Sequence, residues 1–191
     1  VSIDAMGCQK KITEKIIEQK GDYAIALKEN QPTVYKEVLN YFEQQLLSGF
    51  ERVNVGYSMT EQKGHGRIEK REYWLLSDID WISKKDEWKG LKSVGMVRSE
   101  REYQGKKSIE SRYFISSLTN PELFQKSVRT HWQIENSCHW ILDVVFREDD
   151  SRIRAGYAAE NFSIIRKIAL NFLKNDTTIK IGVKGKRRAA G

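Results

Sequence analysis

Residues 1–27 read VSIDAMGCQKKITEKIIEQKGDYAIAL, and this stretch decides the fold. Val1 to Asp4 has the texture of a short buried strand that ends on a carboxylate. Ala5 to Gly7 turns the chain, and Gln9 to Gln19 carries Ile12, Ile16 and Ile17 at helical spacing. Gly21 is placed to stop that helix, and Tyr23 to Leu27 is a second apolar run of strand length. Strand, helix and strand in about thirty residues form a right-handed crossover unit with parallel strands. A carboxylate at the carboxyl end of such a strand lies where open α/β sheets bind ligands. Asp4 is therefore a candidate ligand-binding residue, its bland alternative being a turn or N-cap residue.

Working outward, Asn30 reads as an N-cap with Pro32 in the first turn. The helix that follows carries Val34, Val38, Leu39, Phe42 and Leu46 on one stripe as far as Gly49. Residues 50–118 change texture, with β-type runs (YWLLS, VGMVRS, RYFISSL) between glycines and charged turns. Helices return from Pro121 and again over Ala158 to Lys174. Lys180 to Arg188 holds five basic residues and no acid, the composition of a flexible basic tail. The expected organisation is an α/β core over 1–49, a β-rich insertion over 50–118, the helical end of the core over 119–176 and the tail over 177–191.

At 191 residues, with 39% apolar and 31% charged side chains, the chain has the composition of a globular protein rather than a disordered one. No apolar run is long enough to span a bilayer, and no signal-peptide pattern opens the chain. Two cysteines, Cys8 and Cys138, are too few for a disulfide scaffold and match no zinc spacing, so a reducing cytoplasm is the default. A net charge of +7, with five Trp and eight Tyr, favours a polyanionic partner such as nucleic acid. Val1 stands inside an apolar run without a lead-in, which raises the expectation of absent upstream residues.

Residues 129–150, RTHWQIENSCHWILDVVFREDD, repeat a His-Trp pair at His131-Trp132 and His139-Trp140, with Glu135 midway. On a continuous α-helix, His131, Glu135, His139 and Asp143 form one slowly drifting row. Trp132 and Trp140 form the neighbouring row and would wall it, while Ile134, Cys138 and Ile141 can face the core. A solvated Glu135 is the bland reading. Zinc is disfavoured, because the two histidines stand roughly 12 Å apart along the axis. A third reading couples Glu135 to Asp4: oxygen ligands suit Mg²⁺ or Mn²⁺, and paired ions roughly 3.5–4 Å apart serve both oxygens of a phosphodiester displacement.

The segments IDAMGCQ, LKENQP, HGRIEKRE, HWQIENSCHWILDVVFREDD and ENFSIIRKIALNFLK, in that order, resemble insertion-sequence transposases of the Asp-Asp-Glu type. The subgroup is that of the H-repeat-associated proteins. This resemblance implies a ribonuclease-H-like core, here partial and interrupted by the β-rich insertion. It also implies cleavage and strand transfer of double-stranded DNA, at transposon ends and target, with two metal ions held by three carboxylates. Asp4 matches the second aspartate and Glu135 the final glutamate. The first aspartate belongs on a strand before Val1, so a catalytically incomplete piece is expected. His131 stands where relatives often carry an Arg and is expected to act as its donor; Leu142 stands in place of a Lys.

Within that frame, His65, Arg67, Glu69 and Arg71 would share one strand face able to grip a DNA backbone; the bland alternative is a solvated edge strand. Lys28 and Gln31 could reach a phosphate, and Arg129, Arg152 and Arg154 are further phosphate candidates. A homodimer is a possible assembly, and no membrane partner is expected. A non-catalytic DNA-binding remnant is the competing reading.

Overall fold

A computed structural model describes residues 1–51, 53–64 and 67–190, apart from the side chains of Arg67, Glu135 and Asn136. The chain divides into two units, Val1–Arg129 and Thr130–Gly191.

The first unit is built on a six-stranded sheet. Strands β1 (Ser2–Ile3) and β2 (Ala24–Leu27) are parallel, with Ser2 opposite Ala24 and Ile3 opposite Ile25. Helix α1 (Lys10–Glu18) makes the crossover, so the strand-helix-strand expectation holds. Strands β3 (Val55–Gly64), β4 (Arg67–Leu76), β5 (Ser93–Tyr103) and β6 (Lys106–Ser116) add to the same sheet as antiparallel neighbours. The order is β1-β2-β6-β5-β4-β3, with β6 paired to β2.

Alternation assigns the two faces. Ile25, Leu27, Ile115, Tyr113, Val94, Met96, Leu76 and Trp74 are buried on one. Helix α2 (Pro32–Ser48) packs there through its predicted stripe: Val34, Val38 and Phe42 are buried, and Leu39 and Leu46 are half-buried. Burying Phe42 fully contributes about 1.5–3 kcal/mol. Gly49 ends α2 with φ 65°, the left-handed conformation that favours glycine. The opposite face carries Gly95 and Phe114, and helix α3 (Pro121–Ile134) packs on it through Phe124 and Val128. Phe124 meets Phe114 edge-on with ring centres 5.5 Å apart. A Cβ at Gly95 would lie 2.3 Å from the Phe124 ring, so only glycine lets α3 settle this closely.

Asn30 is not the helix cap. Pro32 is the first helical residue, so Gln31 takes the N-cap position without a side-chain bond. The Asn30 amide instead donates to the Ala5 carbonyl at 2.7 Å.

In the second unit, a π turn over Glu135–His139 follows α3 and leads into α4 (Trp140–Val144). Helices α5 (Ala158–Asn175) and α6 (Val183–Ala189) complete it. The basic tail is thus helical over α6, where the sequence suggested an irregular end. Lys186 accounts for part of this order: its ammonium donates to the Leu173 carbonyl at 3.1 Å and to that of Asp176, capping the end of α5. Arg187 lies over the Phe146 ring, 5.2 Å from its centre.

Candidate active site

Asp4 follows β1 directly and opens a 3-10 turn over Ala5–Gly7. Its carbonyl accepts from the Gly7 N–H at 2.9 Å, while its exposed side chain makes no capping bond to that turn. The turn folds tightly back on its own strand: a Cβ at Gly7 would lie 2.3 Å from Ile3 Cγ2. Two amides from the loop after β2 brace it. Asn30 holds Ala5, and Gln31 donates Nε2 to the Cys8 carbonyl at 2.9 Å. The loops at the carboxyl ends of the two parallel strands are therefore tied together, with Lys28 exposed on the second. Cys8 is fully buried beneath them, and burial pushes its thiol up to about 12. The sequence offered Gln31 as a phosphate contact; here its amide nitrogen braces the Asp4 loop.

The His-Trp segment differs from a continuous α-helix. The π turn inserts one extra residue, which rotates everything after it by about 100°. Past the turn the core positions shift accordingly, with Leu142 and Val145 buried and Ile141 only half-buried; Ile134, just before it, is 48% exposed and does not face the core. Trp132 and His131 are half-buried, but Trp140 is 57% exposed. Glu135 opens the π turn, and its side chain lies outside the described residues. Asp4 belongs to the first unit and Glu135 to the second. Among the described residues, no three His, Cys, Asp or Glu side chains cluster within reach of one metal ion.

The charged strand also differs from expectation. His65 and the Arg67 side chain lie outside the described residues. β4 is no edge strand, because it sits between β3 and β5. Glu69 and Arg71 are buried and ion-paired with each other. Burial pulls the Arg71 guanidinium below its usual range, and the Glu69 carboxylate pushes it back up. Arg101, directly opposite Glu69 on β5, donates Nε to that carboxylate at 2.7 Å. Gln62 on β3 accepts from Arg71 at 3.4 Å and from Arg129 at 3.2 Å. Sequence reading missed Arg101 and Gln62. Their signal is cross-strand register, which a one-dimensional pattern does not contain. In the second unit, Arg152 and Arg154 are exposed, and Arg154 donates to the carbonyls of Ser151 and Ile153 at 3.0 and 2.9 Å.

Asp4 thus stands on a braced loop at the carboxyl end of a parallel strand, and Glu135 opens a π turn in the second unit; comparison with known proteins supplies the family. The family model described as "Transposase DDE domain" matches residues 1–172, and the chain belongs to that family. It is 42% identical over 197 residues to the "H repeat-associated putative transposase YhhI" of Escherichia coli (strain K12), covering 100% of this chain and 51% of that protein. Identity to the "Putative transposase YncI" of Escherichia coli O157:H7 is 41% over 194 residues, covering 98% of this chain and 49% of that one. The resemblance drawn from the motifs is thereby borne out. The chain spans about half the length of the curated relatives it matches. Among the described residues, no helix is long and apolar enough to cross a membrane.

Proposed function

We propose that this chain is part of a DNA transposase that cleaves double-stranded DNA and transfers strands by metal-dependent phosphodiester chemistry. The observation that carries the reading is Asp4 at the carboxyl end of a parallel strand pair, in a chain whose family match runs through Glu135. The parallel β1–β2 pair, its α1 crossover and the helices on both sheet faces support a partial ribonuclease-H-like core. Asp4 suits a hard divalent ion, because it offers an exposed carboxylate at the carboxyl end of a parallel strand. Asp4 and Glu135 would hold Mg²⁺ or Mn²⁺, which when bound activates the attacking oxygen and steadies the leaving one.

This chain's own residues supply position and charge. The Asn30 and Gln31 braces fix the Asp4 loop, which limits reorganisation when a ligand arrives. His131 serves as a donor beside Glu135, and Lys28 contacts a phosphate at the strand ends. Arg67, Arg129, Arg152 and Arg154 are further backbone contacts, and Arg71 acts behind them through Glu69. The proposed setting is the bacterial cytoplasm, at the nucleoid.

Manganese titration followed by electron paramagnetic resonance tests the proposal. Asp4→Asn and Glu135→Gln should each weaken Mn²⁺ binding on the order of tenfold or more, since each removes a charged oxygen ligand. In a plasmid-nicking assay with Mg²⁺, any activity should vanish in Glu135→Gln. Unchanged Mn²⁺ binding in both variants, with salt-sensitive DNA binding intact, would establish the non-catalytic remnant instead.

A further inference from the structure

The strands β3 to β6 run on past their helical cover. Along β6 the first six residues are exposed and the last four buried, and β3 is exposed from Glu61 to Gly64. On the face that carries Glu69 and Arg71, this uncovered region presents Gly64, Arg101, Tyr103, Lys106 and Ser108. Register brings them together: Tyr103 lies opposite both Arg67 and Lys106, and Arg101 opposite both Glu69 and Ser108. They line an open cleft of about 770 Å³ in which no lining residue is acidic.

Arg101 links the cleft to the buried network. Its Nε is held by Glu69, whose carboxylate is itself ion-paired with Arg71, yet its side chain stays 35% exposed. A guanidinium tethered in this way loses little freedom when it meets an anion. Lys106 is exposed beside it, and Tyr103, 52% exposed, offers a flat apolar ring. The cleft is open rather than enclosed, so a chain can pass through it. Lys107, the third cation of the lining, is already ion-paired with Glu100 at 3.1 Å; Arg101 and Lys106 beside one ring, with no carboxylate in the lining, suit a phosphodiester backbone better than a small neutral ligand.

We propose that this cleft grips the backbone of double-stranded DNA. Arg101 and Lys106 contact phosphates, Tyr103 packs against the sugar edge, and Glu69 with Arg71 positions Arg101. The site rests on the transposase reading for its substrate, but it lies apart from Asp4, and the two residues that contact phosphate, Arg101 and Lys106, are not among the candidates read from the sequence; Arg71, which is, acts only through Glu69.

The test is fluorescence anisotropy with the full chain and a labelled random-sequence duplex, titrated across a range of NaCl. Lys106→Ala and Arg101→Gln should each weaken binding several-fold and lower the slope of log K against log salt by about 0.9, one phosphate contact apiece. Lys11→Ala, on α1, should leave the slope unchanged. Glu69→Gln should weaken binding less than Arg101→Gln does, and Arg101→Lys should restore much of the slope. Should Arg101→Gln unfold, as judged by circular dichroism, the surface change Lys106→Ala decides alone. Wild-type slopes in both cation variants would overturn the cleft and leave the transposase reading standing. Polyglutamate that displaces the duplex as well as unlabelled DNA does would overturn it in favour of an acidic protein partner. A wild-type chain that binds no duplex at any salt would sink both readings.

Discussion

Gly7 has no side chain because Ile3 occupies the space where one would begin. Gly7→Ala must push Ile3 or the turn aside, so it should destabilise the chain by about 1–3 kcal/mol in urea unfolding. It should also weaken Mn²⁺ binding, because the displaced turn begins at Asp4. One residue further on, Cys8 is sealed from solvent and its thiol is pushed from 9.0 up to about 12 by burial. With Ellman's reagent near neutral pH, the folded chain should therefore expose Cys138 and not Cys8. The raised value also has a sign for stability. The folded state keeps a proton that the unfolded chain loses above 9.0, so the contribution is complete below that pH and is lost on the way to about 12. Raising the pH one unit above 9.0 should cost wild type on the order of 1 kcal/mol more than Cys8→Ala, measured as a difference in urea midpoints.

At the scale of elements, α3 is seated by Phe124, which fits the gap at Gly95 and meets Phe114. Phe124→Ala should cost about 3–5 kcal/mol, the range for a buried aromatic whose cavity collapses poorly, and chemical denaturation will measure it. The elements were legible where periodicity is the whole signal: the apolar stripe of α2, the crossover through α1, and strands at YWLLS, VGMVRS and RYFISSL all appear. They were less legible where neighbours decide. The charged alternation around Arg67 to Arg71 is compatible with an edge or a central strand, and only pairing with β3 and β5 makes it central. Likewise, His131, Glu135 and His139 at steps of four describe an α-helix equally well with or without a π turn. The shift of the core onto Leu142 required the backbone. Asn30 carried a capping side chain, but Pro32 at the first helical position moved the cap to Gln31 and freed Asn30 to brace Ala5.

At the scale of the molecule, the segment from 50 to 118 reads as foreign to its flanks in composition, yet its strands continue the sheet that β1 and β2 begin. Asp4 was visible in the sequence as a carboxylate after a strand, and Glu135 through its motif. The basic cleft was not: Arg101, Tyr103, Lys106 and Ser108 stand within eight residues of one another, but only the pairing of β5 with β6 and β4 shows that they share a face. β6 lies between β2 and β5, so the strand carrying Lys106 hydrogen-bonds near its other end to the strand beside Asp4. Neighbouring strands sit about 4.8 Å apart, and a residue advances about 3.4 Å along each. The sheet therefore acts as a rigid caliper. If the proposed cleft and the proposed metal carboxylate both serve one duplex, the offset between them is set by backbone geometry, and the position of a cut along the DNA would be measured from the point of grip.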